Sequence, residues 1–562
     1  MDERHRKLLK DGDRLFSERK DLDSFWQEVA LNFYPEVATF TTTRSIGEEF
    51  ADHLTTSYPL IARRTLGDAF SALLRPVNLD TTSPGVWFSI ITTREEREDM
   101  QAKRWLEWAT TIMRRAMYDR AANFVRATKE GDHAFATFGQ CVLTIELNRA
   151  RDTLLYRSWH LRDVAWVENA EGEIDTVHRK WKPTASQLVA TFGSHVSDKV
   201  KEALKDNPYT KFECRHIVIA ADNYEQRDPA GKRYRTPWVS VWIDVTNDYL
   251  MEEIGSFSRI YLIPRWVTVP GSQYASSPAV TAALPDARLI QAMTLTLLEA
   301  GEKFADPPMI ATQEAIRTDI QLFAGGVTWV DAEYDEKLGE ALHPLYHPAG
   351  GQGVSIGLNM RADVREALTE AFFLNSLSLP PADVRDMTAF ETAQRISEWI
   401  RQAMPIFEPV EFEYNGGTCE DTFDLLMRNG AFGSPADIPE TLRGADLQFK
   451  FESPLHESAS RRKGQKFLEA KAALVEAVEL DPDAAPMLKA VDALRDVLDG
   501  IGVPADWTRD ERELEEKNEA RRQAEALPAM IGTAGAAAGV AKDVGSAVKD
   551  FAGAQGTGQP AG

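Results

Sequence analysis

Cysteine is scarce in this chain: Cys141, Cys214 and Cys419 are the only three in 562 residues, and they lie far apart. That excludes a disulfide framework and any paired thiolate metal site, and makes a reducing cytosol the natural compartment. Long apolar runs are missing as well. A spanning helix needs ~20 apolar residues, and the nearest uncharged stretch, 526–541, is short and built mostly of alanine and glycine. The opening residues 1–10 are charged with no apolar core behind them, so no secretory signal is expected. No Gly-x4-Gly-Lys-Ser/Thr loop, Gly-x-Ser-x-Gly elbow or His-Glu-x-x-His pair occurs, which removes the common nucleotide-hydrolysing, serine-hydrolase and zinc-protease readings. Positive charge is also in deficit. The formal net charge is -23, whereas a nucleic-acid binder is usually basic because phosphate neutralisation supplies its affinity. Acidity fits ordinary solubility, and it equally fits a surface along which a polyanion slides without sticking.

What is present is a large globular chain. Hydrophobic residues make up 43%, and at ~150 residues per domain the length suggests about four structural units. Leu22, Phe25, Trp26, Val29 and Phe33 recur at helical spacing, so an amphipathic helix ends near Pro35. Helices are expected over 61–74, 104–118 and 124–138, with Trp105, Trp108, Phe135 and Phe138 in the core. From Gln140 the period changes to two, and strands are expected at 141–146, 163–167, 174–178, 212–221, 238–245 and 260–269. In 238–244 the valines and Ile243 share one face and Ser240 and Asp244 the other, the pattern of a half-buried strand. Thr184 and Gln187 form a capping box for a short helix that Gly193 ends. Ser277-Pro278 reads as a helix start. A long helix is expected over 286–304, with Leu289, Met293, Leu297, Ala300 and Phe304 on one stripe. A second is expected over 359–374, with Met360, Val364, Leu368 and Phe372 on one stripe. Between them lie fifty irregular, glycine-rich residues with one strand at 326–331. The chain thus goes out along one helix, builds an insert and returns. Pro380-Pro381 forbids helix at the start of the next segment, and Thr388 with Glu391 caps a following helix. Gly416-Gly417 breaks the chain before a short helix at 423–428, and 446–451 alternates as a strand. Helical pattern returns from 457 to 526, and the Ala/Gly-rich residues 528–562 read as a flexible tail.

None of the chemically suggestive clusters survives inspection. Gly351-Gln-Gly353-Val-Ser-Ile-Gly357 resembles a dinucleotide loop with its last spacing one residue too long and no preceding strand, so it reads as a linker. His343 and His347 are separated by Pro344, so no regular helix presents them to one metal. Asp481 and Asp483 flank Pro482 in a turn, and Arg63-Arg64, Arg114-Arg115 and Arg461-Arg462-Lys463 read as solvated faces or ion pairs. No catalytic residue, metal site or cofactor is expected, and the chain is not expected to be an enzyme.

One ordered set of residues carries more. Pro264-Arg265-Trp266 precedes Tyr274-Ala-Ser-Ser277-Pro278, then Ala283-Leu-Pro285-Asp286, Asp306-Pro307-Pro308, and Met387-Thr388-Ala-Phe-Glu391 with Arg395. In this order and spacing, over about 22–522, they resemble the portal (head-to-tail connector) proteins of short-tailed bacteriophages. Ala275 and Ser276 stand where many such proteins carry glycine and a basic residue. The resemblance implies an α+β, mostly helical portal fold assembled as a ring around a central channel. By that likeness 1–277 and 389–455 are the wing, 278–305 and 356–377 the stem helices, 306–355 the clip, 378–388 the tunnel loop, 456–527 the crown and 528–562 the tail. Leu289, Met293, Leu297, Met360, Val364 and Leu368 would pack the stem. Leu379, Pro380, Pro381, Asp383, Arg385 and Asp386 would line the channel loop and touch double-stranded DNA non-specifically.

The implied partners are about eleven further copies in a dodecameric ring, the terminase large subunit, a tail adaptor, the major capsid and scaffolding proteins, and internal core or ejection proteins. The place is the portal vertex of a virion assembled in the bacterial cytoplasm, without membrane insertion. The reading from another class is a different virion ring or scaffold-type interaction protein, such as a tail adaptor. The helix–insert–helix layout and the length of the chain favour the portal.

Overall fold

Alternating apolar strands and amphipathic helices assemble here into a mixed helix–sheet protein, described by a computed structural model over residues 2–76, 87–93, 100–224, 235–305, 309–311, 342–344, 352–377 and 406–451, with scattered positions from 470 to 520. Helices α1 (Glu3–Glu18), α2 (Lys20–Phe33) and α3 (Tyr58–Leu74) come first, followed by strand β1 (Phe88–Thr92) and helices α4 (Met100–Met117) and α5 (Phe124–Phe138). Strands β2 (Val142–Leu147) and β3 (Leu154–Trp159) form an antiparallel sheet completed by β9 (Tyr261–Leu262). The expected strand over 260–269 is thus two short pieces, β9 and β10 (Val267–Thr268), because β10 turns away to pair with β11 (Ala275–Ser276).

Strands β4 (Val164–Glu168), β5 (Ile174–Trp181), β6 (Cys214–Ala220), β7 (Trp238–Asp244) and β8 (Tyr249–Ser256) form a five-stranded antiparallel sheet in sequence order. Helices α6 (Ala185–Phe192) and α7 (Asp198–Asp206) cover one face, burying Leu188, Val196, Val200 and Met251 with Trp181 and Trp242 beside them. Helix α1 covers the other, where Leu8 meets Ile217, Val239, Val241 and Ile243. Strand β7 is therefore buried on both faces, not half-buried. Ser240 bonds His216 at 2.9 Å, and Asp244 accepts from Ser197, the N-cap of α7, at 3.2 Å. Polar residues lie inside because each has a partner. The capping box at Thr184 and Gln187 forms as expected.

Helix α8 (Pro278–Ala305) extends the periodic stretch expected over 286–304 back to the helix start at Ser277-Pro278 and runs through Pro285, whose ring sits on an exposed face. Helix α9 (Gln352–Ala371) also starts early: the glycine-rich stretch read as a linker is helical from Gln352, and Gly357 lets Leu297 approach so closely that a Cβ would lie 2.6 Å from it. The two helices pack together, and the short strands β12 (Met309–Ala311) and β13 (Leu342–Pro344) pair antiparallel where the insert leaves and returns. After helix α10 (Leu374–Leu377), the next described residues, from 406, are helical and pass through a π-helical segment, Val410–Gly416, directly into α11 (Gly417–Arg428). The expected break at Gly416-Gly417 is absent. A Cβ on Gly417 would sit 2.6 Å from Leu262, so the glycine permits close packing of a continuous helix. Strand β14 (Leu447–Phe451) brings Phe449 against Phe88 and Phe451 against Trp87.

The chain divides into two compact units. The larger holds 1–90, 109–434 and 449–459. The smaller holds 91–108, 435–448 and 460–562, where Thr93 bonds Asp446 and Trp105 packs on Trp108. Trp108 is 44% exposed, against the expectation of a core residue, because helix periodicity alone does not say which flank of α4 is covered.

Candidate functional site: the root of the long helix hairpin

The signature residues converge where α8 leaves the end of α5. Helix α5 stops at Gly139, whose φ of 72° is left-handed and whose N–H donates to Phe135 O at 2.8 Å. A Cβ there would fall 2.1 Å from the carbonyl carbon of Ser276, so both the φ and the contact demand glycine. The next residue, Gln140, accepts a hydrogen bond from Ala275 N at 2.8 Å, and Trp266 N donates to Gly139 O at 2.7 Å. Ser277 has two tasks: its hydroxyl donates to Ala136 O at 2.7 Å and accepts from Val280 N at 3.3 Å, capping α8 while fastening it to α5.

Aromatic rings fill the space beneath. Trp266 stacks on Phe135 with centroids 5.4 Å apart and meets Phe70 edge-on at 5.3 Å. Tyr274 packs on Trp166 at 4.6 Å and Trp26 at 5.8 Å. Arg265 ties three elements together: its guanidinium meets Glu168 and donates to Gly172 O, and its backbone N–H donates to Glu413 in the π segment. The proline-arginine-tryptophan and tyrosine-serine-proline signatures therefore hold together strand, hairpin and helix. Their chemistry is packing and hydrogen bonding, without a reactive group.

A second layer below was not foreseen. Buried Arg75, at the end of α3, pairs with fully buried Asp132 of α5 and donates to Asn415 Oδ1 at 2.9 Å. Its guanidinium lies 5.0 Å from the Tyr414 ring, and Tyr414 donates to Thr128 O at 3.2 Å. Burial pushes the Asp132 carboxyl above its usual range, and the Arg75 charge opposes that shift. Gly131 makes room, since a Cβ would lie 2.4 Å from the Tyr414 hydroxyl. The π segment puts both Tyr414 and Asn415 on the inner face, which regular 3.6-residue turns do less well. The sequence signal for this layer was the glycine inside an otherwise strong helix at 131.

The expected stem residues divide. Val364 and Leu368 are buried, and Met293 and Leu297 are half-buried. Leu289 is 46% and Met360 52% exposed, so neither is buried within the chain. The buried stripe of α8 instead runs through Ala283, Ala287, Ile290 and Thr294, one residue over from the expected one. Tyr274, Ser277, Pro278 and Pro285 lie in or next to the root. The other expected site residues, Asp306, Pro307, Leu379, Pro380, Pro381, Asp383, Arg385, Asp386, Thr388, Glu391 and Arg395, lie outside the described residues, as do the strand at 326–331 and His347. Among the described residues no cluster of His, Cys, Asp and Glu could hold a metal, and no helix is long and apolar enough to cross a membrane.

Comparison with known proteins places this geometry in company. Residues 5–508 match the family described as bacteriophage head to tail connecting protein. The chain is 26% identical over 463 residues to the probable portal protein of Bordetella phage BPP-1, covering 80% of this chain and 78% of that one. It is 23% identical over 543 residues to the portal protein of Salmonella phage epsilon15, covering 93% and 92%. Among solved structures it resembles a chain in the neck of an empty gene transfer agent particle, with a TM-score of 0.31 and 10% identity over 74% of this chain and 86% of that one.

Proposed function

Because this chain belongs to the bacteriophage head to tail connecting proteins, we propose that it is a portal subunit: copies close into a ring of about twelve at one capsid vertex, and double-stranded DNA passes through the centre. The observation that carries this reading is the family match across nearly the whole chain. The out-and-back hairpin of α8 and α9, with β12 and β13 paired at the insert, supports it.

In this reading 278–305 and 356–377 form the stem, 306–355 the clip that docks the terminase and later a tail adaptor, 378–388 the tunnel loop, and 456–527 the crown. The wing, 1–277 with 389–455, faces the capsid and scaffolding proteins. The role is mechanical and needs no catalytic residue or cofactor. A closed ring of heterologous contacts covers apolar surface that a single chain leaves open. Leu295, Leu298, Ile356 and Leu358 are each at least 45% exposed on the hairpin and are the surface such a neighbour would cover.

The test is electron microscopy of the purified chain. Closed rings with a central channel are expected; a protein that stays monomeric at micromolar concentration in mild salt overturns the proposal.

A further inference from the structure

The hairpin has two unlike halves, and one short segment grips it near the boundary. On α8 buried residues continue as far as Thr294, and none of 295–302 is buried. On α9 none of 355–363 is buried, and burial resumes at Val364, Leu368 and Phe372. The segment Thr55–Tyr58 lies about one turn inside this boundary, meeting Gln291 of α8 and Thr369 of α9. Gln291 of α8 accepts from Thr55 N at 2.7 Å and Thr56 N at 3.0 Å, and its Nε2 donates to Thr56 O at 2.9 Å. The Thr55 hydroxyl lies 2.8 Å from both the backbone and the side-chain oxygen of Gln291. One glutamine thus satisfies three backbone groups of an irregular strand. On the other helix, the Thr369 hydroxyl donates to Arg365 O at 2.8 Å, so it receives the Tyr58 hydroxyl as an acceptor. The Arg365 guanidinium lies 5.3 Å from the Tyr58 ring. Tyr58 opens α3, which packs on α5 in the body.

We propose that Thr55–Tyr58 is a strap that sets the angle at which the α8–α9 hairpin leaves the body, with Gln291 and Tyr58 as its positioning residues. A lever is held best near where it emerges. The embedded halves resist sliding through apolar packing, which is non-directional. The strap adds directional bonds to both helices about one turn inside the exit, so a sideways tilt of the hairpin must stretch one side of it. This rests on the portal reading only for its purpose, which is to hold the stem at a fixed inclination to the ring. The strap itself is a property of one chain.

The experiment measures one chain. Cys141, Cys214 and Cys419 are buried, so spin labels go to Thr296→Cys on the protruding half and Lys199→Cys on the body, both exposed positions. Labelled protein is diluted into unlabelled protein, so that pairs within a chain are read whether or not rings form. The double variant Gln291→Ala, Tyr58→Phe should broaden the distance distribution, and the Thr55 and Thr56 amides should exchange with solvent about tenfold faster, the change set by one lost hydrogen bond. Thr65→Ala, which removes a hydroxyl bonded only to its own helix at Ile61 O, should leave both readings as they were. If Gln291→Ala does not fold, Tyr58→Phe alone removes one hydroxyl and should still broaden the distribution. Distributions that match the parent in every folded variant overturn the strap, whatever microscopy shows about rings. Absence of rings with a broadened distribution leaves the strap standing and removes the portal reading.

Discussion

The embedded and protruding halves of the long hairpin are made from similar residues and put to opposite uses. In the embedded half the aliphatic side chains of Val280, Leu284 and Ile290 are inside, the helix start is capped by Ser277, and the layer below holds the Arg75–Asp132 pair. In the protruding half Leu295, Leu298, Ile356 and Met360 face outward. Exposed leucines scattered singly mean little. Several on one hairpin, beyond the point where its own body stops covering it, are the surface that the proposed ring would cover. On the portal reading, stability of the single chain and assembly of many chains fall to different stretches of the same two helices.

The sharpest way to break that contrast is in the body. Asp132→Ala leaves the Arg75 charge buried without its carboxylate and should cost about 3–5 kcal/mol, read as a fall in the urea midpoint of unfolding. A loss below ~1 kcal/mol would mean the pair is far better solvated than its burial indicates.

A second probe uses pH. Burial, helped by the nearby Arg215 charge, lowers the His178 pKa to about 3, while the unfolded chain titrates near 6.5. Below that value the unfolded state takes up a proton that the folded state refuses. The contribution of neutral His178 is therefore complete above pH ~6.5 and is lost as pH falls toward ~3, at about 1.4 kcal/mol per pH unit. Between pH 7 and pH 4.5 the parent should lose about 2.5 kcal/mol more than a His178→Leu chain. Equal pH slopes in the two would show that the imidazole is open to water.

The smallest expected effect on stability comes from the protruding half. Leu298→Glu should shift unfolding by less than ~0.5 kcal/mol, as surface changes do, yet it should abolish closed rings in micrographs. A stable variant that still forms rings would remove Leu298 from the contact and weaken the division between halves.

Local chemistry was readable in the sequence wherever its cause is local. The Thr184–Gln187 capping box, the Gly193 terminator and the Ser277-Pro278 start each depend on a few neighbouring residues, and each forms as expected. The strand 154–159 was missed because its Leu-Leu-Tyr-Arg-Ser-Trp run does not alternate cleanly; β2 recruits it across six residue pairs. Glycine misled twice. Gly357 reads from the sequence as part of a linker and Gly416-Gly417 as a break, and in both places the glycine sits inside a helix with a neighbour pressed against or close to it. A missing side chain serves either purpose, and only the neighbour distinguishes them. The Arg75–Asp132–Asn415 layer was invisible for a related reason: its members are separated by 57 and 340 positions.

By itself the sequence determined many of the helices and strands, several of their caps, the absence of phosphate-loop and hydrolase motifs, and the ordered signatures that resemble those of its family. Those properties follow from short-range sterics and hydrogen bonding, which a linear text records. Which face of a helix is inside was decided only by the tertiary structure. Along Leu295-Thr-Leu-Leu298 apolar side chains point in several directions around α8, so periodicity permits more than one stripe, and docking against α2, α5 and α9 selects the one through Ile290 and Thr294. The same docking leaves Leu289 and Met360 outside. An apolar residue carries the free energy of burial wherever it sits, and only the packed neighbours decide whether that burial is completed within the chain or beyond it.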